Sequence, residues 1–489
     1  MLASIKKMLD AFEENGISYC HWKSNEHLKE ALDGDTDLDV LFDPAERVKL
    51  EKVLDGCGLK RFRSVPLMQY NAIEDFIGFD AETAKIWHLH THYRMTLGEK
   101  HLKGYTITPW TSYLLKNRRL SDEGIYISSH ECELVLLLVR IALKLRWRDA
   151  GKRLGGDDVK ELCWLKERAD KNAVKKASEE MLGRASSEQI LRMLDTDLKK
   201  KSQFKKLQSL LRRELKIYTG YTAAGSWFTR TRREIFWLIG GVRRRLGLSS
   251  FTASRRVIPS GGCVVSFLGC DGAGKSTTLA YVGKEFNKKI DTAKIYFGSG
   301  DGSSSLLRKP MKLVAKKVGG KGVGHAVEKE YNSNKKVSIK ARLYSCAKLL
   351  WAVTLAGEKK KKLKEMTKAR NNGMLVFTDR YPQSIMPGCS DGPLLSKYEN
   401  GGGLFGRIAR WERRIYESAA MNPPDLAVKL MVPTKVAIER KPEMTEDEIE
   451  AKKKIVMDMD ISENTAVIDT SRDFEITRSE VMSEIWKVI

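Results

Sequence analysis

The sequence predicts an α/β protein in three parts: a C-terminal parallel sheet with flanking helices built on a phosphate-binding loop (P-loop), a small N-terminal α/β domain, and a helical middle. Three observations carry this. An apolar strand signal, Cys263–Leu268, runs into Gly269-Cys-Asp-Gly-Ala-Gly274-Lys275-Ser276, which fits GxxxxGK[ST] without mismatch, and a helical run, Thr277–Phe286, follows. Short strand-like segments mix with helices in residues 1–125. From about His130 the apolar residues recur at helical spacing. The expected boundaries are 1–125, 126–255 and 256–489.

The first part rests on strand signals at Ile17–Tyr19, Leu38–Phe42 and Ile86–Leu89, with a helix, Ala45–Leu54, after the turn Asp43-Pro44. In the second, Leu134, Leu137, Leu138, Ile141 and Leu145 share one helical face, and helical signals continue to Leu210, broken by turns such as Gly155-Gly156. Ser249–Gly262, with Pro259 and Gly261-Gly262, reads as a linker. In the third, Gly373–Thr378 predicts a strand ending in Asp379-Arg380-Tyr381-Pro382. Pro424–Val432 predicts another, followed by a helix, Lys435–Arg440, and a polar stretch, Pro442–Glu448, that suits a mobile lid.

Composition bounds the function. A chain of 489 residues exceeds one ordinary domain, and 42% apolar with 31% charged residues excludes a disordered or collagen-like chain. The longest apolar stretches, Leu134–Val139 and Leu349–Ala356, fall far short of the roughly 18 residues that span a bilayer. The N-terminus, with Lys6, Lys7, Asp10, Glu13 and Glu14, lacks the apolar core of a signal peptide. Eight cysteines without a CxxC pair read as reduced thiols. A soluble, cytoplasmic, multidomain protein is expected, with no transmembrane segment.

Charge is the unusual quantity. The net value of +24 comes from two segments: 199–256 carries +14 and 306–370 carries +15, leaving −5 for the rest. Such fields attract polyanions: nucleic acid, an anionic membrane surface, or a phosphorylated or acidic substrate. A solvated helical surface has the same composition, and no nucleic-acid fold signature accompanies the charge. Within the first segment, Arg230–Arg245 sets Ile235, Phe236, Trp237 and Ile239 among six Arg. That pattern fits a basic amphipathic helix at a membrane surface, or one whose apolar face packs on the C-terminal domain.

The Gly-rich loop carries the chemistry. Gly269, Gly272 and Gly274 permit dihedrals and approaches that a Cβ would block, so backbone N–H groups can wrap phosphate oxygens. The following helix N-terminus, at Ser276 and Thr277, adds donors and a favourable dipole. Lys275 can reach the β- and γ-phosphates, and Ser276 offers a hydroxyl to Mg2+. Asp379 and Arg380 stand at the end of a predicted strand, where α/β sheets bind ligands. There Asp379 could orient an acceptor or hydrated Mg2+, and Arg380 could neutralise a transferred phosphoryl group.

Residues 263–489 resemble the thymidylate-kinase-like branch of nucleoside monophosphate kinases, through the DGAGKST loop, the DRY at 379–381 and PDLAVKLMVPTKVAIERK at 424–441. The resemblance implies ATP and Mg2+ as cofactors, with ATP held by Gly269, Asp271, Gly272, Ala273, Gly274, Lys275, Ser276 and Thr277. It implies Arg380 near the acceptor phosphate, lid charge from Arg440 or Lys441, and a base-side loop around Asp469–Arg472. Two departures stand out. The family's Arg-Glu-Pro-Gly-type turn is replaced by Tyr296-Phe-Gly-Ser-Gly-Asp-Gly302, and its Ser/Ala-rich stretch after DRY by Ile385–Pro393. An anionic acceptor other than dTMP fits these departures better.

The N-terminal part holds a second constellation. In Gly34-Asp35-Thr-Asp37-Leu-Asp39-Val, period two places Asp35, Asp37 and Asp39 on one strand face. Such a row repels itself unless a divalent cation or a basic group meets it. With the turn Trp22-Lys23-Ser24-Asn25 upstream, residues 15–100 resemble the nucleotidyltransferase superfamily, in which a Gly-Ser turn precedes a metal-binding DxD strand. The resemblance implies metal at Asp37 and Asp39 and a site including Ser24 and Asp35. Lys23 stands where the family has Gly, and Ile86-Trp-His88-Leu-His90-Thr-His92 presents three His where a third carboxylate is expected. Those His could replace a ligand or be hydrogen-bonded polar groups on a half-buried strand, and the acid row could be a solvated edge.

The reading that follows is an ATP- and Mg2+-dependent kinase transferring the γ-phosphate to a small anionic acceptor, with Lys275, Asp379, Arg380 and Arg440 as the catalytic set. The alternatives are a nucleotide-sensing regulatory protein whose basic surfaces hold a polyanion, or an N-terminal nucleotidyltransferase with an accessory P-loop domain. Expected partners are the acceptor, a polyanion or membrane surface at 199–256 and 306–370, and, as an open alternative, a second copy in a homodimer.

Overall fold

Strands that are short and scattered in sequence assemble the N-terminal half. A computed structural model describes residues 1–149, 151–246, 251–298, 339–387 and 391–489. Its strands there are β1 Tyr19–His21, β2 Asp37–Phe42, β3 Lys60–Ser64, β4 Ile73–Asp80, β5 Lys85–His92, β6 Met95–Leu97, β7 Tyr105–Ile107, β8 Arg118–Leu120, β9 Tyr126–Ser128 and β10 Arg256–Val257. Eight of them form one mixed sheet in the order β10-β3-β4-β5-β2-β1-β9-β8, and β6 and β7 form a separate ribbon. The helix Ala3–Glu14 buries Ile5, Met8, Leu9 and Phe12 in the core that this sheet shares with Leu38, Val40 and Phe42. Alternation on β2 therefore sends Leu38, Val40 and Phe42 into this core and Asp37 and Asp39 to the opposite face, where Leu41 joins a second core.

Local signals moved some boundaries. β1 begins at Tyr19, because Ile17 donates its N–H to Phe12 O and so closes the preceding helix. The turn at Asp43-Pro44 opens a short 3-10 turn, capped by the Asp43 carboxylate on the Ala45 N–H, before the helix Arg47–Gly56.

The helical middle is built around His130–Lys144, whose N-terminus is capped by the Ser129 hydroxyl. Spacing predicts one apolar face, yet Val135, Leu136, Val139, Ala142 and Leu143 are buried as well, because the helices Gly156–Arg168, Lys171–Met181 and Lys205–Glu214 pack around it, with Arg184–Leu194 packed on the last two. This stretch and the N-terminal sheet belong to one compact unit, Met1–Ser249 with Ser254–Pro259. Composition and periodicity predict a boundary between them at 125/126 and group residues from 256 onward with the P-loop. Instead Arg256 and Val257, expected within a linker, pair antiparallel with Ser64 and Arg63.

The second unit, Ser250–Ala253 with Ser260–Ile489, holds β11 Cys263–Gly269, β12 Thr292–Tyr296, β13 Leu375–Asp379, β14 Leu426–Met431 and β15 Thr465–Asp469. All pair in parallel, in the order β12-β13-β11-β14-β15. β11 is a nearly continuous buried run, as a strand covered on both faces requires. The helices Lys275–Lys289, Ile339–Asn371, Gly403–Ala420, Thr434–Arg440, Glu446–Asp458 and Phe474–Val488 accompany the sheet. Pro442–Glu448, expected as lid, is divided: Thr445 and Glu448 form a capping box that starts the helix Glu446–Asp458. Of the basic segment 306–370, residues 306–338 lie outside the described residues, as do 299–302 and 388–390 of the two turns that depart from the kinase pattern. Among the described residues no helix is long and apolar enough to cross a membrane.

Candidate functional site

The sheet order reverses at β11, whose neighbours β13 and β14 carry the chain to opposite sides, so a crevice opens beyond its carboxyl end. The P-loop occupies that position. Gly269, Gly272 and Gly274 all have positive φ, at 159°, 84° and 79°. A Cβ on Gly272 would stand 2.8 Å from Ala437 O, so the loop touches the backbone of the helix Thr434–Arg440. Lys275 opens the helix behind the loop, and its Nζ donates to Gly269 O at 2.9 Å and Cys270 O at 2.7 Å. Burial and the Arg380 charge push the Lys275 ammonium below its ordinary value. Ser276 and Thr277 are exposed on the first turn.

β13 delivers the next pair. Its last residue, Asp379, lies in register with Phe267 of β11, and its side chain is buried with Oδ1 lacking a hydrogen-bond partner. Burial pushes that carboxyl above the usual range, against the pull of Lys275 and Arg380. Arg380 adopts φ 68°, a conformation that L-residues pay to hold, and its guanidinium reaches Asp271 Oδ1 at 3.4 Å and Asp391 Oδ2 at 3.5 Å. Asp271 is also gripped by Lys452. Arg440 donates to Gly272 O at 3.2 Å and Thr470 O at 3.1 Å, which brings the end of its helix onto the loop.

Sequence-predicted residues Gly269, Asp271, Gly272, Ala273, Gly274, Lys275, Asp379, Arg380 and Arg440 thus share one crevice. Arg472 is placed differently: it is exposed and paired with Glu480 of the C-terminal helix. Sequence reasoning missed Lys452, Asp391 and Lys359, whereas Thr470 falls in the loop Asp469–Arg472 expected on the base side. Thr470 Oγ1 donates to Ala273 O at 3.1 Å, and buried Lys359 pairs with Asp391 Oδ1 at 3.3 Å. None of the three missed residues carries a motif. Only the helix that the Thr445–Glu448 box announces could have pointed to Lys452.

The N-terminal constellation is a hydrogen-bonded lattice. β2 and β5 run parallel with Asp37 opposite His88 and Asp39 opposite His90, while β4 sets Asp75 beside His90. His90 Nδ1 and His92 Nε2 lie 3.0 and 3.2 Å from Asp39 Oδ1, and Lys23 Nζ is 3.0 Å from Asp39 Oδ2. His88 bridges Asp37 at 3.0 Å and Asp75 at 2.9 Å, and Arg256 reaches Asp75 at 2.8 Å. Burial pushes Asp39 up, but Lys23 and the two imidazoles overcome it and hold this carboxyl well below the usual range. Burial lowers the His92 imidazole to about 3 and the Lys103 ammonium to about 8.

Two expectations are corrected here. Asp35 precedes β2 and pairs with Lys85 at 3.0 Å, so it does not join Asp37 and Asp39. A third carboxylate, Asp75 on the strand beyond β5, stands beside the His row and pairs with His88, which no local pattern reveals. Ser24 sits at φ 57° at the head of a short 3-10 turn, and Lys23 is the residue that reaches Asp39. One carboxylate oxygen and two imidazole nitrogens, from Asp39, His90 and His92, all lie within 4.8 Å of one another. That donor set suits borderline divalent ions better than Mg2+, which prefers oxygen. A cavity of about 1050 Å³ adjoins the lattice, lined by Arg47, Arg63, Arg94, Lys103 and Arg256 among others.

No protein-family model matches the chain. It is 28% identical over 236 residues to a protein of Escherichia coli (strain K12) described as the uncharacterized ATP-binding protein YghR, a match covering 46% of this chain and 86% of that one. It is 29% identical over 185 residues to the uncharacterized ATP-binding protein YghS of the same strain, covering 37% and 73%. Among solved structures it is similar to thymidylate kinase from Ehrlichia chaffeensis, at 14% identity and TM-score 0.24 over 46% of this chain and 98% of that one. Thymidylate kinase from Candida albicans gives 15% and 0.27 over 47% and 91%. Deoxyadenosine kinase from M. mycoides with bound dCTP gives 14% and 0.25 over 46% and 100%.

Proposed function

We propose that the second unit transfers the γ-phosphate of ATP to a small anionic acceptor. The observation that carries this is the convergence of Lys275, Asp379 and Arg380 on the P-loop at the carboxyl end of a parallel sheet. The description of both bacterial relatives as ATP-binding supports the nucleotide half of the reading.

The loop N–H groups and the helix dipole hold the donor phosphates, and Lys275 lies across the loop to meet their charge. Asp271, tied to both Arg380 and Lys452, stations two cations where an acceptor phosphate would approach. Arg440 fixes the adjoining helix to the loop and supplies charge at its far side. The exposed Ser276 hydroxyl and the unpartnered buried oxygen of Asp379 are the kind of oxygen donors Mg2+ takes, so they would hold it. Mg2+ held by these residues would supply charge screening for the phosphates. Catalysis is then mostly positioning and charge neutralisation.

The test offers ATP with a panel of nucleoside monophosphates and sugar phosphates and reads the products by mass spectrometry. A phosphorylated product that disappears in Arg380→Ala supports the reading. Tight ATP binding with no product across the panel overturns it in favour of nucleotide sensing.

A second reading concerns the first unit, and the closeness of Asp39, His90 and His92 favours it. Here Asp39, His90 and His92 would hold a divalent cation, and the adjoining basic cavity would take a nucleoside triphosphate, in line with the superfamily resemblance. Co2+ titration monitored by its visible absorption should report nitrogen ligation in the wild type and not in His90→Ala. Identical spectra would return the cluster to a hydrogen-bonded lattice.

A further inference from the structure

The helix Ala223–Arg245 is inverted with respect to the usual surface helix. Its polar residues face the body of the first unit. Arg230 pairs with Glu99 at 2.6 Å, Glu234 with Arg146 at 3.0 Å and Arg148 at 2.8 Å, and the nearly buried Arg233 donates to Gln69 O at 2.8 Å. Its apolar residues face outward: Trp227 and Phe228 are 60% and 61% exposed, Leu238 52% and Val242 56%, with Ile235 and Ile239 close behind. At 3.6 residues per turn these six fall within about 120° of the circumference, a strip of about four turns. Arg232, Arg243 and Arg245 border the strip, and Arg232 stacks on Phe228 at 6.0 Å.

We propose that this strip is a docking surface for an anionic lipid bilayer. The helix would lie in the plane of the interface, with its aromatic and aliphatic side chains in the acyl boundary and its bordering arginines on the headgroups. Two observations select this occupant. Arg232, Arg243 and Arg245 along the strip are complementary to anionic headgroups, each basic residue near such a surface contributing roughly 1 kcal/mol. The same charge opposes a second copy docking strip to strip, since the bordering arginines would face their own kind. The helix lies on the bilayer and does not span it, because its charges interrupt any apolar run. This inference is independent of the phosphoryl-transfer reading.

The experiment is co-sedimentation of the full chain with phosphatidylcholine vesicles, with and without phosphatidylglycerol. The wild type should partition onto the anionic vesicles and not onto the neutral ones, and binding should weaken as salt rises. Trp227→Ser with Phe228→Ser and Leu238→Ser should lower partitioning at least ten-fold, and so should Arg232→Gln with Arg243→Gln and Arg245→Gln. All six side chains are exposed or border the exposed strip, so circular dichroism should report unchanged helicity in both variants. Absence of vesicle binding by the wild type overturns the proposal. Equal binding by wild type and apolar triple variant does so too. A wild-type dimer that the triple variant dissociates, without vesicle binding, would assign the strip to a second copy instead.

Discussion

Asp379 and Lys275 are opposite answers to one constraint, charge held out of water. Lys275 satisfies its ammonium on two loop carbonyls, whereas Asp379 leaves one oxygen without a partner. Asp379→Asn should therefore leave the melting temperature unchanged or raise it, by an amount on the order of 1 kcal/mol, while phosphoryl transfer falls. Calorimetry beside a transfer assay checks this, and a destabilised but fully active variant would contradict it. Lys275→Ala should cut transfer about 100-fold or more with the fold intact, since the remaining cations are tied to Asp271 or to backbone carbonyls. Glu133 supplies a pH signature in the first unit. Burial lifts its carboxyl to about 7, against two N–H donors from Asn25 and the nearby Arg140, with Glu161 adding to the rise. The folded state then keeps a proton that the unfolded state sheds near pH 4.5, so stability declines as pH rises from about 4.5 to 7 and stays lowered above. Glu133→Gln should flatten that decline in a series of melting temperatures across pH. An unchanged slope would mean that another group titrates.

At the level of elements, the strand, loop and helix from Cys263 to Lys289 are legible because every signal is local: an apolar run, three glycines and a helical period. Gly272 shows how tight that economy is. An added Cβ would press on Ala437 O, and φ 84° adds strain of about 1–2 kcal/mol for any other residue. Gly272→Ala should weaken ATP binding by displacing the helix Thr434–Arg440 from the loop, measurable by titration calorimetry, whereas an affinity equal to the wild type would show that the loop has room. The β5 strand is legible too, but its partners are not. Asp75 meets His88 only because β4 pairs antiparallel with β5, a register written in no single segment. Lys452 and Asp391 escape notice for the same reason, each reaching the crevice by tertiary folding. The inverted helix is half legible: its composition announces amphipathicity, but which face meets the protein is decided by Glu99, Arg146 and Arg148, far away in sequence.

Across the whole molecule, the first unit encloses one apolar core around His130–Lys144 and another between the N-terminal sheet and the helix Ala3–Glu14, and the second unit encloses a core around β11 and β13. Leu137→Ala, in the centre of the first, should cost about 2–5 kcal/mol there and leave ATP affinity at the P-loop unchanged. Paired denaturation and binding curves would reveal a shared core if affinity fell as well. β10 carries a practical consequence for dissecting the protein. Tailoring an expression fragment to end at residue 255, where composition invites the cut, strips β3 of its neighbour and exposes a raw hydrogen-bonding edge that other chains can adopt. It also leaves the Asp75 carboxylate without the guanidinium of Arg256. Fragment 1–255 should accordingly self-associate in light scattering, while 1–259, only four residues longer, should remain monodisperse.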